Sequence, residues 1–364
     1  MDYFHNLLHL AVTQGASDVH VKPDHCATLR IAGALTPVAD SCLNKELVAE
    51  IVKRILPAHQ VERLAKEKEV DFSYIHDNGW RFRVNIFHQR GNLCLAIRYV
   101  KNEIPSFADL QLPEKLAEIV TTENGIVFVT GSTGSGKSST LAAMLEFLNL
   151  HKQCHIITLE DPIEYVFTDN KSIIEQREIG LDTTSFPSAL VHVMRQDPDV
   201  IMIGEMRDSE SFMAALAAAD TGHFVLTTLH TTTAASAIGR MLDFYPAEER
   251  EQMRRQIATN LRAVVCQRLV PAINGNVVPA VEIMINTPMV RKLIEENRLD
   301  KLSAAIETGT EDGMQSFNQA LLKLVKARLI TEAEALSKAS SPEALKMNLR
   351  GIFLDESRRI MSSA

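Results

Sequence analysis

The sequence predicts an α/β protein with two domains, because helices alternate with apolar strands from about residue 114 onward. Strands are apolar along their whole length when they belong to a parallel sheet that is covered on both faces. Such strands are predicted at residues 126–130, 155–159, 200–203 and 224–229. Before residue 100, strands with period-two alternation mix with short helices, which indicates a smaller α+β domain. With 364 residues, the chain is long enough for each domain to bury its own core.

The first domain is predicted over residues 1–100. Its first helix ends near Gly15, where the helical spacing of apolar residues stops. Strands are then predicted at 19–21, 28–31, 81–87 and 93–100, and helices at 47–56 and 61–64. Residues 101–113 contain two prolines and few periodic signals, so they are predicted to form a linker.

The second domain is predicted over residues 114–364 and ends in a helical region. The pair Asn274-Gly275 lies between predicted strands at 268–273 and 277–285 and predicts a tight hairpin there. After Thr287 the pattern is helical to the end of the chain. Within that region, residues 289–296 are predicted to be a helix with an apolar stripe of Met289, Val290, Leu293 and Ile294.

The composition excludes several classes of protein. Lys and Arg total 38 against 46 Asp and Glu, a net charge of −8, which argues against a protein that coats nucleic acid. The five cysteines are scattered without a C-x-x-C pair, so they predict thiols in a reducing compartment rather than a zinc site or a disulfide framework.

The N-terminus lacks the features of a signal peptide, and no apolar run approaches the ~20 residues of a spanning helix. Any role at a membrane is therefore expected to go through a partner.

The pattern G-x-x-x-x-G-K-[ST] is matched at every fixed position by residues 131–138. An apolar strand precedes the pattern and a helix at 139–148 follows it, which is the setting of a loop that wraps phosphate. Lys137 is expected to reach the β- and γ-phosphates, and the Ser138 hydroxyl to hold Mg²⁺. The sequence therefore predicts a nucleoside triphosphate and Mg²⁺ as ligands. The residues predicted to bind the nucleotide are Gly131, Ser132, Thr133, Gly134, Ser135, Gly136, Lys137, Ser138 and Ser139.

Acidic residues follow two of the apolar strands. Glu160 and Glu164 come after strand 155–159, and Glu205 comes after strand 200–203. Ligands of open α/β sheets bind at these carboxyl ends of the strands. Phosphoryl transfer needs carboxylates there to hold Mg²⁺, directly or through water, and to orient the attacking water. All three are predicted to be catalytic, and Glu205 is also predicted to hold Mg²⁺, either directly or through water.

His223 and His230 bracket the strand at 224–229. Their odd spacing directs the two side chains to opposite faces of a regular strand, so they are not expected to bind one metal ion together. His230, at the carboxyl end of that strand, is predicted either to be a structural histidine or to sense the γ-phosphate.

Arginines cluster in the first domain, at Arg81, Arg83, Arg90 and Arg98. Two interpretations remain open for them. They form a solvated basic face, or some of them act as an arginine finger on the nucleotide of a neighbouring chain, where they neutralise charge in the transition state.

Taken together, these blocks resemble the secretion ATPase superfamily and, within it, the PilT-like motors that retract type IV pili. The resemblance covers nearly the whole chain. The matching blocks, in order, are residues 16–20, 81–84, 131–138, 160–164, 180–186, 195–208, 221–231 and 313–317.

The resemblance implies a PAS-like first domain, a RecA-like second domain and a ring of six chains. It implies that ATP binds between the two domains and that an adjacent chain completes the site. Family arginines that contact phosphate match Arg83 and Arg98, with Arg81 and Arg268 as weaker matches. The family's catalytic glutamate matches Glu205. The share of Glu164 in activating water is left open.

The same resemblance implies an ATPase that hydrolyses ATP to ADP and phosphate and couples this to pilus retraction and twitching motility. The chain lacks the zinc-binding tetracysteine insertion and the additional N-terminal domain of assembly motors, which favours retraction. Its expected place is the cytoplasm, peripheral to the inner membrane, and its expected partners are further copies of itself, a membrane platform protein and other pilus ATPases. Direct nucleic-acid binding is not expected.

One segment departs from the family pattern. Retraction motors carry A-I-R-N-L-I-R-E, and residues 289–296 read Met-Val-Arg-Lys-Leu-Ile-Glu-Glu. An accessory PilU-like retraction motor and a type IV secretion ATPase therefore remain as alternatives. A RecA-like nucleic-acid translocase and a nucleotide-gated scaffold without turnover are rivals from other classes.

Overall fold

A computed structural model describes residues 2–31, 33–100 and 103–352. The chain divides into two compact units. The first unit comprises the residues up to Glu103 together with Pro162–Val166, and the second comprises Ile104–Asp161 and the residues from Phe167 onward. The part of the predicted linker from Ile104 to Pro113 therefore clusters with the second unit. The short segment Pro162–Val166, which the sequence placed in the second domain, clusters with the first.

The first unit contains one antiparallel sheet of six strands with the order β3-β2-β1-β6-β5-β4. Its strands are β1 (Ala16–Val21), β2 (His25–Ile31), β3 (Ala34–Leu43), β4 (Glu69–Ile75), β5 (Arg81–Gln89) and β6 (Asn92–Val100). Its helices are α1 (Asp2–Thr13), α2 (Lys45–Ile55) and α3 (Val61–Glu67), with a 3₁₀ turn at Ala58–Gln60. Strands β3 and β4, at the two edges of the sheet, were not predicted.

Helix α2 shows why the local sequence forms these elements. Asn44 caps its N-terminus by accepting a hydrogen bond from the backbone N–H of Leu47. Val48 and Ile51 recur at helical spacing and are buried in the apolar cluster of the first unit, together with Val84 and Ile86 of β5. The amphipathic helix thus covers one face of the sheet.

The second unit is built on a sheet of seven strands with the order β13-β12-β7-β11-β10-β8-β9. The strands are β7 (Gly125–Thr130), β8 (His155–Glu160), β9 (Ile173–Glu178), β10 (Val200–Ile203), β11 (Phe224–Leu229), β12 (Leu261–Pro271) and β13 (Val277–Ile285). All neighbours are parallel except β12 and β13, which are antiparallel. The predicted α/β fold with a parallel sheet is confirmed. The sequence did not reveal β9, and β12 begins earlier than predicted.

Helices lie between and after these strands. They are α4 (Lys115–Val120), α5 (Lys137–His151), α6 (Phe186–Val193), α7 (Ser209–Asp220), α8 (Ala234–Asp243), α9 (Arg250–Asn260), α10 (Pro288–Glu295), α11 (Leu302–Thr308), α12 (Phe317–Lys326), α13 (Glu332–Lys338) and α14 (Pro342–Leu349). The end of the chain that was predicted to be helical lies, from residue 353, outside the described residues. Among the described helices, none is both long and apolar enough to cross a bilayer.

The apolar strands are explained by burial on both faces. In β7, Ile126 and Phe128 belong to one apolar cluster, while Val127 and Val129 belong to another. Successive side chains of a strand point to opposite faces, so β7 is buried on both sides. This arrangement places the carboxyl ends of β7, β8, β10 and β11 at one edge of the sheet.

Helix α10 corrects one detail of the sequence prediction. Val290, Leu293 and Ile294 are buried, at 0–2% exposure, as expected for its apolar stripe, but Met289 is 50% exposed. Met289 lies in the first turn, directly after Pro288. The other three apolar residues, at helical spacing, are enough to pack this short helix against the apolar core of the second unit.

Candidate nucleotide site

The loop between β7 and α5 has the backbone that its glycines predict. Gly131, Gly134 and Gly136 have φ values of 150°, 76° and 89°. At Gly136, the N-cap of α5, a Cβ would lie 2.8 Å from Nε2 of Gln267. A side chain at Gly136 would therefore be strained by its backbone and would also collide with a buried neighbour. Only glycine satisfies both conditions.

Lys137 lies at the centre of the loop. Its Nζ donates hydrogen bonds of 3.0 Å to the carbonyl oxygens of Gly131 and Ser132. The residue is only 9% exposed. The ammonium group is thus held inside the loop, at the start of α5, where the N-terminal backbone N–H groups of the helix also favour an anion.

A hydrogen bond beneath the loop was missed by sequence reasoning. The Thr140 hydroxyl donates to Oε1 of Gln267 over 2.7 Å, and both residues are buried. Thr140 belongs to the first turn of α5 and Gln267 to β12, so this bond joins the loop helix to the strand beside β7. The sequence feature that could have revealed this bond is the amide side chain of Gln267, inside a strand that is otherwise largely apolar.

A small cavity opens beside the loop within the second unit. It has a volume of about 230 Å³ and is lined by Gly136, Ser139 and Thr140 of the loop and α5, and by Leu110 and Leu269. Its lining is mixed, because Asp109, Gln111 and Gln267 add polar groups beside the leucine side chains.

Glu205 is the best-organised carboxylate of the site. It follows β10, and its side chain is 18% exposed. Arg207 forms an ion pair with one carboxylate oxygen, and Nε2 of His230 lies 3.4 Å from the other. Arg207 was not predicted as a site residue. The sequence feature that could have indicated it is a basic side chain two residues after the predicted catalytic acid.

The histidine beside Glu205 is held in its neutral form. Burial lowers the pKa of His230, and the positive charges of Lys137 and Arg207 lower it further. The backbone N–H of Gly131 donates to the carbonyl oxygen of Leu229, the residue before His230, over 3.4 Å, so the phosphate loop and His230 are close to each other. The structure therefore brings Lys137, Glu205 and His230 together, as predicted from three separate sequence blocks.

Glu160 lies at the end of β8 and is 6% exposed. Its Oε1 accepts hydrogen bonds from the Thr158 hydroxyl at 2.7 Å and from Nε2 of Gln176 at 3.0 Å. A Cβ on Gly204, the residue before Glu205, would lie 3.6 Å from the Cα of Glu160. The ends of β8 and β10 thus carry two glutamates side by side, one held by a threonine and a glutamine and the other by an arginine and a histidine.

The arginines predicted to contact phosphate lie in the first unit, together with Glu164. Arg83 of β5 and Arg98 of β6 are directly opposite each other in the antiparallel ladder. Both line a cavity of about 670 Å³ that is also lined by Glu164. Equal charges directly opposite each other destabilise a sheet, and both arginine side chains are exposed.

Carboxylates already balance part of this charge. Nε of Arg98 donates to Asp18 over 2.8 Å, and Nε of Arg83 lies 3.6 Å from Asp71. Burial opposes ionisation of Asp18, but hydrogen bonds from Ser17 and Arg98 and the charge of Arg98 outweigh it and lower the pKa of Asp18. The two predicted acids of residues 160–164 belong to different units, Glu160 to the second and Glu164 to the first.

Arg268 is engaged away from the loop. Its guanidinium donates to the carbonyl oxygens of Thr232, at 3.0 Å, and Lys338, at 2.7 Å, and it stacks on the ring of Phe317. These contacts tie β12 to the C-terminal helices. Its predicted role in binding nucleotide stays a prediction, and the contacts seen here instead support a structural role.

The fold and the site define a P-loop nucleotide-binding protein whose acidic strand ends lie beside the phosphate loop. The chain belongs to the family described as Type II/IV secretion system protein, which matches residues 1–341. The resemblance deduced from the sequence blocks is thereby confirmed.

Two curated relatives from Pseudomonas aeruginosa are similar over almost the whole chain. The type IV pilus retraction ATPase PilT is 40% identical over 337 residues, covering 93% of this chain and 98% of PilT. The type IV pilus ATPase PilU is 38% identical over 348 residues, covering 95% of this chain and 91% of PilU. A crystal structure of the pilus retraction motor PilT with bound ADP matches with a TM-score of 0.87 and 40% identity, covering 94% of this chain and 98% of the other.

Proposed function

We propose that this chain is a hexameric motor that hydrolyses ATP to power the retraction of type IV pili. The observation that carries the proposal is the cluster of Lys137, Glu205, Arg207 and His230 around the phosphate loop. Its chemistry suits phosphoryl transfer, and the near full-length similarity to a pilus retraction ATPase supplies the process that it drives.

The nucleotide is proposed to bind with its phosphates in the loop 131–138. Backbone N–H groups of the loop and of the first turn of α5 point to the anion, and Lys137 exchanges its two carbonyl partners for the β- and γ-phosphates. The cavity beside Gly136 and Leu269 then accepts the base. Ser139 and Thr140 also line that cavity.

The residues around the loop also fit a magnesium ion. Ser138 offers a hydroxyl at the start of α5, and Glu205 offers a carboxylate that holds the ion directly or through water, which is the oxygen chemistry that Mg²⁺ prefers. When bound, the ion would neutralise charge on the phosphate oxygens.

Glu205 is proposed to orient the attacking water and accept its proton. In the structure Arg207 and His230 fix both carboxylate oxygens, so the acid is held in one orientation. Neutral His230 can donate or accept one hydrogen bond and is placed to respond to a γ-phosphate near Lys137. Glu160 supports the neighbouring strand end, and Glu164 is the alternative acid for activating water.

Arg83 and Arg98 are proposed to reach a nucleotide that is shared between domains or between chains of a six-membered ring. The unfavourable pairing of two arginines in one ladder supports this proposal.

Motion coupled to hydrolysis would act on a platform protein of the inner membrane, with other pilus ATPases as further partners. The motor would then work in the cytoplasm, at the membrane surface.

The proposal is tested by replacing Lys137 with alanine in the native host. Because the variant lacks the charge that meets the phosphates, ATPase activity and pilus retraction should both be lost while pili are still assembled. Lys152→Ala removes the same charge at the C-terminal end of α5 and is the matched control. Loss of the pili themselves would instead indicate an assembly motor.

An accessory PilU-like motor is the second candidate, because PilU is nearly as similar to this chain as PilT is. The two differ in what the chain can do alone. A main motor should restore retraction in a strain that lacks every other retraction ATPase, whereas an accessory motor should restore it only when a main motor is present. Stimulation of the ATPase by single-stranded DNA or RNA would favour the nucleic-acid translocase instead.

A further inference from the structure

Two cysteines of the first unit face each other across strands β2 and β3. Cys26 and Cys42 are Cα partners in the antiparallel ladder of these strands. The adjacent residues Ala27 and Leu43 are 0% and 1% exposed and point into the core. Because side chains alternate along a strand, the two cysteines lie on the outer face of the sheet, where Cys26 is partly exposed and Cys42 is exposed.

The register brings the pair within reach of a disulfide bond. Residues directly opposite in an antiparallel ladder have Cα atoms about 4.5–5.5 Å apart, inside the range of about 4.4–6.8 Å found in disulfides. Their Cβ atoms are about 4.5–5.5 Å apart, whereas a disulfide needs about 3.5–4.5 Å. A small approach of the two strands, of at most ~1 Å, therefore completes the geometry.

Strand β3 is able to make this approach. It is the outermost strand of the sheet and pairs only with β2. The ladder is irregular directly beside the pair, since the partner changes from Cys42 to Pro37 between Cys26 and Thr28. Residues 38–41 thus stand opposite Ala27 alone. A bulge disrupts the ladder locally and bends the bulged strand, so the spacing beside the pair is not fixed by a regular ladder on both sides.

We propose that Cys26 and Cys42 are a modification site at which hydroperoxides form a reversible disulfide. The thiolate of Cys42, the more exposed residue, attacks one peroxide oxygen, the O–O bond breaks, and hydroxide leaves and is protonated to water. The thiolate of Cys26 then attacks the sulfur of the resulting sulfenic acid, the S–O bond breaks, and a second water forms. Two thiols and one hydrogen peroxide thus give one disulfide and two waters, and a dithiol reverses the change.

The other cysteines provide internal controls. Burial raises the pKa of the thiols of Cys94 and Cys154, and it raises that of Cys266 to about 11. The thiolate is the form that reacts with peroxide, so these three cysteines should remain reduced under conditions that oxidise the exposed pair.

The test uses the full-length protein, reduced, freed of reductant and treated with a small excess of hydrogen peroxide. Remaining thiols are then alkylated in denaturant, and the digested chain is analysed by mass spectrometry. We expect a Cys26–Cys42 linked peptide, a chain lighter by the two thiol hydrogens, and alkylation of the remaining three of the five cysteines. Dithiothreitol should restore all five thiols.

Two variants and a native-state measurement complete the test. Cys26→Ser should give a sulfenic acid on Cys42 that dimedone traps, and the control Cys94→Ala should keep the disulfide. In the oxidised wild type, amide hydrogen exchange should slow in residues 37–43 and stay unchanged in β4–β6. The proposal fails if Cys26 and Cys42 remain alkylatable, if their disulfides join different chains, or if the link forms only with faster exchange throughout the sheet.

Discussion

Replacing Gln267 by leucine should destabilise the second unit and weaken nucleotide binding at the same time. The Thr140 hydroxyl loses its acceptor at 2.7 Å, in a position where Thr140 is 0% and Gln267 3% exposed. A buried donor left without a partner costs about 1–3 kcal/mol of the free energy of unfolding. Because glutamine and leucine are similar in volume, little cavity energy adds to this.

The partner variant separates the two effects. Thr140→Val alone leaves the buried amide oxygen of Gln267 without its donor and should cost a similar ~1–3 kcal/mol. In the double variant neither polar group remains, so its loss of stability should be smaller than the sum of the single losses by ~0.5–3 kcal/mol. Nucleotide binding should behave differently, since the amide of Gln267 packs against Gly136 of the loop. Affinity for ADP should fall about tenfold, or ~1.4 kcal/mol, in Gln267→Leu and in the double variant, but little in Thr140→Val.

Urea unfolding gives the stabilities, and calorimetric titration with ADP gives the affinities. Gln315→Leu is the matched control, because Gln315 is a buried glutamine of the same unit that donates to the Val281 carbonyl. It should lose stability and bind ADP normally. Additive stability losses within ~0.5 kcal/mol, or normal ADP binding by Gln267→Leu, would refute the idea that this bond supports the loop.

The remaining predictions concern the acids, the arginines and the histidine. Glu205→Gln should bind ATP but turn over at least ~100-fold more slowly in a steady-state ATPase assay; a nearly normal Glu205→Gln beside an inactive Glu164→Gln would exchange their roles. Mixing Lys137→Ala chains with Arg83→Ala chains should restore part of the ATPase activity if the arginine acts on a neighbour's nucleotide, and no recovery despite proven subunit exchange would favour a site within one chain. The lowered pKa of His230 predicts that stability is lost as the pH falls from the ordinary value of about 6.5 through the folded-state pKa, because the unfolded chain binds the proton first. Thermal melts of His230→Gln should lack that part of the loss, and equal pH profiles would contradict the assignment.

Much of the fold follows from local patterns in the sequence. The runs that became β7, β8, β10 and β11 are apolar throughout, and burial on both faces of a parallel sheet requires this composition. Edge strands carry a weaker signal, because solvent on one side permits polar residues. Strands β3, β4 and β9 lie at edges of their sheets and were missed for that reason, whereas the edge strand β13 was predicted from its apolar run and the hairpin signal before it.

The candidate site was predictable where one short segment carries all the required groups. The loop of residues 131–138 supplies its own glycines, lysine and hydroxyl, so its chemistry can be read without knowing the fold. Glu205 and His230 could also be predicted, because both stand where apolar strands of the sheet end. Gln267 acts through Thr140, 127 residues away, and such a pairing leaves no local pattern. Arg207 lies only two residues from Glu205, but a basic side chain at that position is not by itself a recognisable motif.

The sequence by itself determined the phosphate loop, the parallel sheet and the family, since each depends on the order and periodicity of neighbouring residues. The tertiary structure alone decided which side chains meet. It grouped Glu164 with Arg83 and Arg98, engaged Arg268 with the C-terminal helices, and aligned Cys26 with Cys42. The physical reason is that strand register and the direction of long side chains are set by the packing of whole elements, which no single segment encodes.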